Sequence, residues 1–108
     1  MSVIREITPA ECDALLKSAA GPQLIDVREA WEYATARVEG AQLMPLGGIR
    51  DWALTLDKAS SLIVICHHGA RSAMACQYLQ SLGFSHVQNL AGGIHAWSLT
   101  VDPKIPRY

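Results

Sequence analysis

The segment with the clearest potential for chemistry is a cysteine that precedes a short loop and an arginine. Residues 66–72 have the sequence Cys-His-His-Gly-Ala-Arg-Ser and directly follow Leu62–Ile65, an unbroken apolar run. That run predicts a strand buried on both faces, and residues 73–82 predict a helix. The thiol would lie at the carboxyl end of a strand, where open α/β sheets bind their ligands. We therefore interpret Cys66 as a nucleophile.

The residues after Cys66 are suited to stabilising an anion. A thiol is nucleophilic as its thiolate, and loop amides and a helix N-terminus favour that form. Gly69 permits backbone angles that turn successive amides inward, and Arg71 adds a fixed positive charge suited to an oxyanion. Ser72 can cap the helix or donate its hydroxyl to sulfur. The predicted binding loop consists of His67, His68, Gly69, Ala70, Arg71 and Ser72.

The spacing within this loop distinguishes two chemistries. Phosphatases with a cysteine nucleophile place five residues between Cys and Arg, which fits a tetrahedral phosphate. Here four residues separate Cys66 from Arg71. A shorter loop encloses a smaller space and favours a single sulfur atom, so the sequence predicts sulfur transfer. A cysteine phosphatase or an arsenate reductase stays as a less favoured alternative, which an aryl phosphate assay would test.

The composition limits the class of protein. The chain has 108 residues, of which 50% are hydrophobic and 18% are charged, as expected for one domain spanning residues 1–108. A formal net charge of −1 gives no reason to expect nucleic acid or an anionic membrane as a partner. Three distant cysteines predict a reduced, cytoplasmic protein. Cys12 and Cys76 lie on predicted apolar helix faces, which leaves Cys66 as the candidate thiol.

Strand and helix patterns alternate along the chain and predict an α/β fold. The expected architecture is a small, mostly parallel sheet with helices on both faces. Thr8, Pro9 and Glu11 form a helix start with a capping box, and that helix is expected to end near Ala19 with Leu15 on its apolar face. Residues 40–46 predict a strand broken by a proline. The tail, residues 99–108, contains two prolines and is expected to lie extended on the surface.

Two further groups of polar residues could contribute to a site. Asp26 and Arg28 follow a predicted buried strand, and we favour a structural ion pair there over a direct role in chemistry. His67 and His68 next to Cys66 suggest a metal. Adjacent residues in a tight loop cannot readily direct all three groups at one tetrahedral centre, so we expect no metal there. His95 is expected to be an ordinary surface or packing residue.

Taken together, these motifs resemble a rhodanese domain. The resemblance covers nearly the whole chain in the correct order and is carried by Asp26-Val27-Arg28-Glu29, Glu32-Tyr33, Gly40-Ala41, residues 64–72, Gly83-Phe84 and residues 90–97. Residues 36–41 and the tail are also similar to the rhodanese domains of sulfur-carrier-activating enzymes. Arg37 and Glu39 depart from the family pattern, which often has histidine and proline there.

The resemblance implies a two-step sulfurtransferase that needs no cofactor. Cys66 would take the outer sulfur of thiosulfate or a persulfide donor and pass it to an acceptor, which is cyanide in an assay or a thiol in the cell. Arg71 would help to hold an anionic donor. The alternative is a persulfide relay that serves a protein sulfur carrier and has little activity toward thiosulfate.

Overall fold

A five-stranded parallel sheet with helices on both faces forms the core of the protein. The computed structural model describes residues 3–19 and 21–108. The strands are β1 (Arg5–Ile7), β2 (Gln23–Asp26), β3 (Gln42–Leu43), β4 (Leu62–Ile65) and β5 (Val87–Leu90). The α-helices are α1 (Pro9–Leu16), α2 (Ala30–Thr35), α3 (Ile49–Trp52), α4 (Ala70–Ser81) and α5 (Gly93–Thr100), with 3-10 turns at Leu46–Gly48 and Ala53–Thr55. The predicted α/β class and parallel sheet are confirmed.

The order of the strands places a crevice beside Cys66. The sheet runs β1-β5-β4-β2-β3, so the chain leaves β2 toward one edge and leaves β4 toward the other. The carboxyl ends of β2 and β4 therefore flank the point at which open α/β sheets bind ligands. Cys66 follows β4, whereas Arg28 and Glu32 follow β2.

The central strand β4 supplies both halves of the core. Alternate residues of a strand point to opposite faces, and every residue of β4 is buried. Leu62 and Val64 pack with α4, while Ile63 and Ile65 pack with α1 and α5. The thiol of Cys66 belongs to the face covered by α4. No helix within residues 3–19 and 21–108 has the length and apolar character needed to cross a bilayer.

Helix α1 begins as predicted but ends three residues early. Thr8 caps it, Pro9 is its first residue, and Glu11 completes the capping box. The expected end at Ala19 is wrong, since the Ser18 hydroxyl donates to the Leu15 carbonyl at 2.7 Å and Lys17 is the C-cap. Leu15 is 42% exposed, so the predicted apolar face includes Cys12 and Leu16 but not Leu15.

Helix α4 begins three residues earlier than predicted. Gly69 has a φ of 113° and serves as the N-cap, which lets the helix begin at Ala70. Arg71 and Ser72 consequently belong to the first helical turn rather than to the loop. At the other end Phe84 is buried, and its amide donates to the Leu79 carbonyl at 3.1 Å.

The tail packs on the domain more closely than predicted. Helix α5 continues to Thr100, and the Ser98 hydroxyl donates to the Ile105 carbonyl at 2.6 Å. Ile105 and Tyr108 are half-buried and pack against the core, because both carry apolar surface. The predicted strand over residues 40–46 is reduced to β3, since Pro45 has no amide for a sheet.

Candidate active site

Cys66 lies at the carboxyl end of β4, with a backbone amide and a side-chain hydroxyl next to its sulfur. The residue is buried, and the Gly69 amide donates to Sγ at 3.1 Å. The hydroxyl of Ser72 lies 3.3 Å from the same sulfur. The first-turn amides of α4 have no acceptor within the helix and carry the positive end of its dipole. This arrangement places the Gly69 amide and the positive end of the α4 dipole next to the sulfur.

Ser72 and Asn89 form a buried polar pair behind the sulfur. The Ser72 hydroxyl contacts Oδ1 of Asn89 in a short hydrogen bond, and Nδ2 of Asn89 donates to the Gly69 carbonyl at 3.1 Å. Asn89 lies on β5 and is 2% exposed. It therefore fixes both the capping residue of α4 and the hydroxyl beside Cys66. The sequence analysis did not identify Asn89, because its neighbour Gln88 on the same strand is also polar and nothing local distinguishes the two.

The N-terminus of α5 holds the loop from the other side. The amide of Ile94 donates to the Cys66 carbonyl at 2.9 Å, and the amide of His95 donates to the His67 carbonyl at 3.1 Å. Gly93 makes this approach possible, because a Cβ on Gly93 would lie 2.5 Å from the Cys66 carbonyl oxygen. Two helix N-termini, those of α4 and α5, thus meet at one loop.

Arg71 does not point freely toward a substrate but pairs with Glu32. Its two terminal nitrogens donate to the two carboxylate oxygens of Glu32 at 2.6 and 2.8 Å. Glu32 is 3% exposed. The hydrogen bond from Arg71 lowers the pKa of Glu32 to about 2, although burial opposes this shift. The predicted positive charge of the loop is therefore balanced by a buried carboxylate 39 residues away in sequence.

Tyr108 joins this network from the tail. Its hydroxyl donates to Glu32 at 2.7 Å and accepts from Nη1 of Arg28 at 2.7 Å. Its ring stacks on His67, with 4.1 Å between centroids and 14° between planes. The tail therefore contacts the loop that follows Cys66. The sequence analysis missed this role, since a single tyrosine after two prolines carries no local signal for a site.

Asp26 and Arg28 form the expected ion pair. Both residues are fully buried, and Nη2 of Arg28 donates to Oδ2 of Asp26 at 2.7 Å. Nε of Arg28 also donates to both oxygens of Asp26. The terminal nitrogens of Arg28 donate to the carbonyls of Glu32 and Ala36 and to the Tyr108 hydroxyl. Asp26 is thus structural in its contacts, whereas Arg28 reaches the site through Tyr108.

Three histidines, His67, His68 and His95, lie close together in the structure. The ring of His67 stacks on that of His68 with 4.1 Å between ring centroids. The ring centroid of His95 lies 4.9 Å from that of His68. His95, which was expected to be an ordinary surface or packing residue, is half-buried and packs against these two rings. Burial, with a contribution from the charge of His68, lowers the pKa of His67.

The other two cysteines are packing residues. Cys12 and Cys76 are fully buried in the two halves of the core. Burial raises the pKa of Cys12 to about 11 and that of Cys76 to about 12. Both shifts disfavour the thiolate form, and Cys66 stays the predicted nucleophile.

We expect Glu32 to make stability depend on pH. Its pKa falls from 4.5 to about 2 on folding, so its contribution is complete above about pH 4.5 and is lost as the pH falls to about 2. Glu32→Gln should be less stable than the native protein at pH 7 by roughly 2–3 kcal/mol, and the difference should shrink toward pH 2. Urea unfolding across this pH range measures it. The exposed carboxylate variant Glu39→Gln is the control, and a difference from the native protein that is constant with pH would contradict the prediction.

The chain is similar to known proteins in both sequence and structure. A family model described as a rhodanese-like domain matches residues 8–100. A thiosulfate sulfurtransferase GlpE of Pseudomonas fluorescens is 35% identical over 100 residues, covering 93% of this chain and 90% of that protein. The crystal structure of a rhodanese-like domain protein from Staphylococcus aureus superposes with a TM-score of 0.83 at 30% identity, covering 97% of this chain and 99% of that one.

Other relatives are longer proteins that contain such a domain. The chloroplastic rhodanese-like/PpiC domain-containing protein 12 of Arabidopsis thaliana is 43% identical over 90 residues, covering 80% of this chain and 30% of that protein. A probable adenylyltransferase/sulfurtransferase MoeZ of Mycobacterium tuberculosis is 35% identical over 104 residues, covering 94% of this chain and 26% of that protein. With a family model over residues 8–100 and a relative 35% identical along nearly its full length, the chain belongs to the family of rhodanese-like sulfurtransferase domains.

Proposed function

We propose that the protein transfers a sulfane sulfur through a persulfide on Cys66. The Cys66 thiolate attacks the outer sulfur of thiosulfate, the S–S bond of the donor breaks, and sulfite leaves with that bonding pair. A cyanide or thiolate acceptor then attacks the outer sulfur of the persulfide and regenerates the Cys66 thiolate. The observation that carries this proposal is the sulfur of Cys66 with the Gly69 amide at 3.1 Å and the Ser72 hydroxyl at 3.3 Å.

The first test measures thiocyanate after incubation with thiosulfate and cyanide. We expect the native protein to form thiocyanate and Cys66→Ala to form none above the uncatalysed background. Cys12→Ala is the matched control, since it removes a buried thiol on the opposite face of the sheet and should keep the activity. Intact mass spectrometry after thiosulfate alone should show one added sulfur atom in the native protein and none in Cys66→Ala. Equal thiocyanate formation by Cys66→Ala would contradict the proposal.

A second candidate is a persulfide relay that receives sulfur from a protein donor. The Arg71–Glu32 pair favours it, because a guanidinium already neutralised by a carboxylate attracts the dianion of thiosulfate only weakly. Relatives such as MoeZ, named as an adenylyltransferase/sulfurtransferase, are consistent with a sulfur-carrier partner. A relay would acquire one sulfur from a persulfidated protein donor while it forms little thiocyanate from thiosulfate. Comparable rates with both donors would favour the first candidate.

A further inference from the structure

Three of the four histidines of the chain gather beside the Cys66 loop, although they come from two separate segments. His67 and His68 follow β4, and His95 lies in the first turn of α5. One ring nitrogen from each of the three lies within 4.8 Å of the corresponding nitrogens of the other two. The geometry points to a binding site for a transition-metal cation of the zinc class, held by His67, His68 and His95. His95 takes the place of the Cys66 thiol, whose combination with His67 and His68 the sequence argued against.

The backbone holds together the two segments that carry the three histidines. The amide of His95 donates to the His67 carbonyl, and the amide of Ile94 donates to the Cys66 carbonyl. These bonds hold α5 against the loop that carries His67 and His68. Gly93 allows this close approach because it has no side chain. A site assembled by the backbone loses less conformational entropy when it binds a cation.

The side chains need only a modest movement to coordinate a metal. Zinc–imidazole bonds are about 2.0–2.1 Å long, which places tetrahedral nitrogen ligands about 3.3 Å apart. The nitrogens of the cluster lie within 4.8 Å of one another, and His67 and His68 are stacked at 20°. His68 is exposed and can rotate out of the stack, whereas His67 is held on its other face by Tyr108. Three histidines leave a fourth coordination position for water.

The chemistry of the cluster indicates which cation it takes. Imidazole nitrogen suits zinc, copper and nickel, whereas calcium and magnesium prefer oxygen ligands, and the cluster contains no carboxylate. The two guanidinium groups nearby do not oppose a cation strongly, because Arg28 pairs with Asp26 and Arg71 pairs with Glu32.

Calorimetric titration of chelator-treated protein with Zn²⁺ tests this inference. We expect one Zn²⁺ per chain in the native protein and an affinity lower by at least about tenfold in His95→Ala and in His68→Ala. The fourth histidine provides a matched control. His86 is exposed and lies outside the cluster, so His86→Ala should bind Zn²⁺ like the native protein. Added Zn²⁺ should raise the unfolding midpoint of the native protein and of His86→Ala but not that of His95→Ala.

Metal binding by Cys66→Ser separates the histidine site from the thiol. This variant should keep the Zn²⁺ affinity, and the cobalt complex of the native protein should lack a sulfur-to-cobalt charge-transfer band. Absence of Zn²⁺ binding by the native protein would overturn the inference. So would native affinity in both His95→Ala and His68→Ala, or loss of binding in Cys66→Ser. Because Cys66→Ser cannot form a persulfide, these results do not depend on sulfur transfer and leave the proposed function to its own test.

Discussion

Asp26→Ala should destabilise the protein by about 3–5 kcal/mol, a large part of the total stability of a domain this size. The substitution leaves the guanidinium of Arg28 fully buried without its carboxylate partner. An uncompensated buried charge costs far more than the pair contributes. Urea unfolding at pH 7 measures the loss. Asp26→Asn keeps the shape of the side chain and should also destabilise the protein, which would identify charge rather than a cavity as the cause.

An exposed ion pair in α1 provides the control for this experiment. Asp13 accepts from Lys17 at 3.0 Å, a bond length similar to that of the buried pair, but the Lys17 side chain is 74% exposed. Asp13→Ala should therefore cost no more than about 0.5 kcal/mol. If Asp26→Ala and Asp13→Ala had similar effects, burial of the Arg28 charge would not be the source of the stability.

Gly93→Ala should impair both folding and the site. Its φ of 63° is unfavourable for alanine, and the new Cβ would overlap the carbonyl groups of Cys66 and His67. Backbone strain and steric overlap together should lower the free energy of unfolding by about 2–5 kcal/mol. The loop must move to relieve the overlap, so we expect sulfur transfer to fall by about 100-fold in protein that remains folded. Unfolding curves and thiocyanate formation measure the two effects.

Substitutions at two other glycines distinguish the effect of backbone strain from that of steric overlap. Gly40 also has a positive φ, 86°, but nothing lies within 4 Å of an added Cβ. Gly40→Ala should therefore show the backbone strain alone, about 1–2 kcal/mol, with sulfur transfer unchanged. Gly47 has neither a positive φ nor a close neighbour, and Gly47→Ala should stay within about 0.5 kcal/mol of the native protein. Native activity in Gly93→Ala would show that the contact of α5 does not position the loop.

Features set by neighbours in sequence could be predicted. The capping box of Thr8 and Glu11 needs only the first turn of α1, and the apolar run of β4 predicts a buried central strand. The position of Cys66 follows from that strand and from the helix after it. Boundaries were less predictable, because Gly69 can either continue the loop or cap α4, and the structure uses it as a cap.

Contacts between distant segments could not be predicted from these local patterns. Glu32 and Arg71 are 39 residues apart, and Tyr108 is 76 residues from Glu32. The strand order brings these side chains together near the carboxyl ends of β2 and β4. That order is a property of the whole fold. The meeting of His95 with His67 and His68 has the same origin. The periodicity of the sequence therefore could not predict the charge balance of the site. It could predict the candidate nucleophile.

The hydrogen bonds between α5 and the loop also orient the dipoles of the peptide groups around Cys66. The carbonyls of Cys66 and His67 are occupied by amides of α5, and the Gly69 amide turns toward the sulfur. Partial negative charges of the main chain are thus directed into the protein, and partial positive charges into the site. A preference for anions follows from the course of the main chain itself. It would persist even where the charge of Arg71 is cancelled by Glu32.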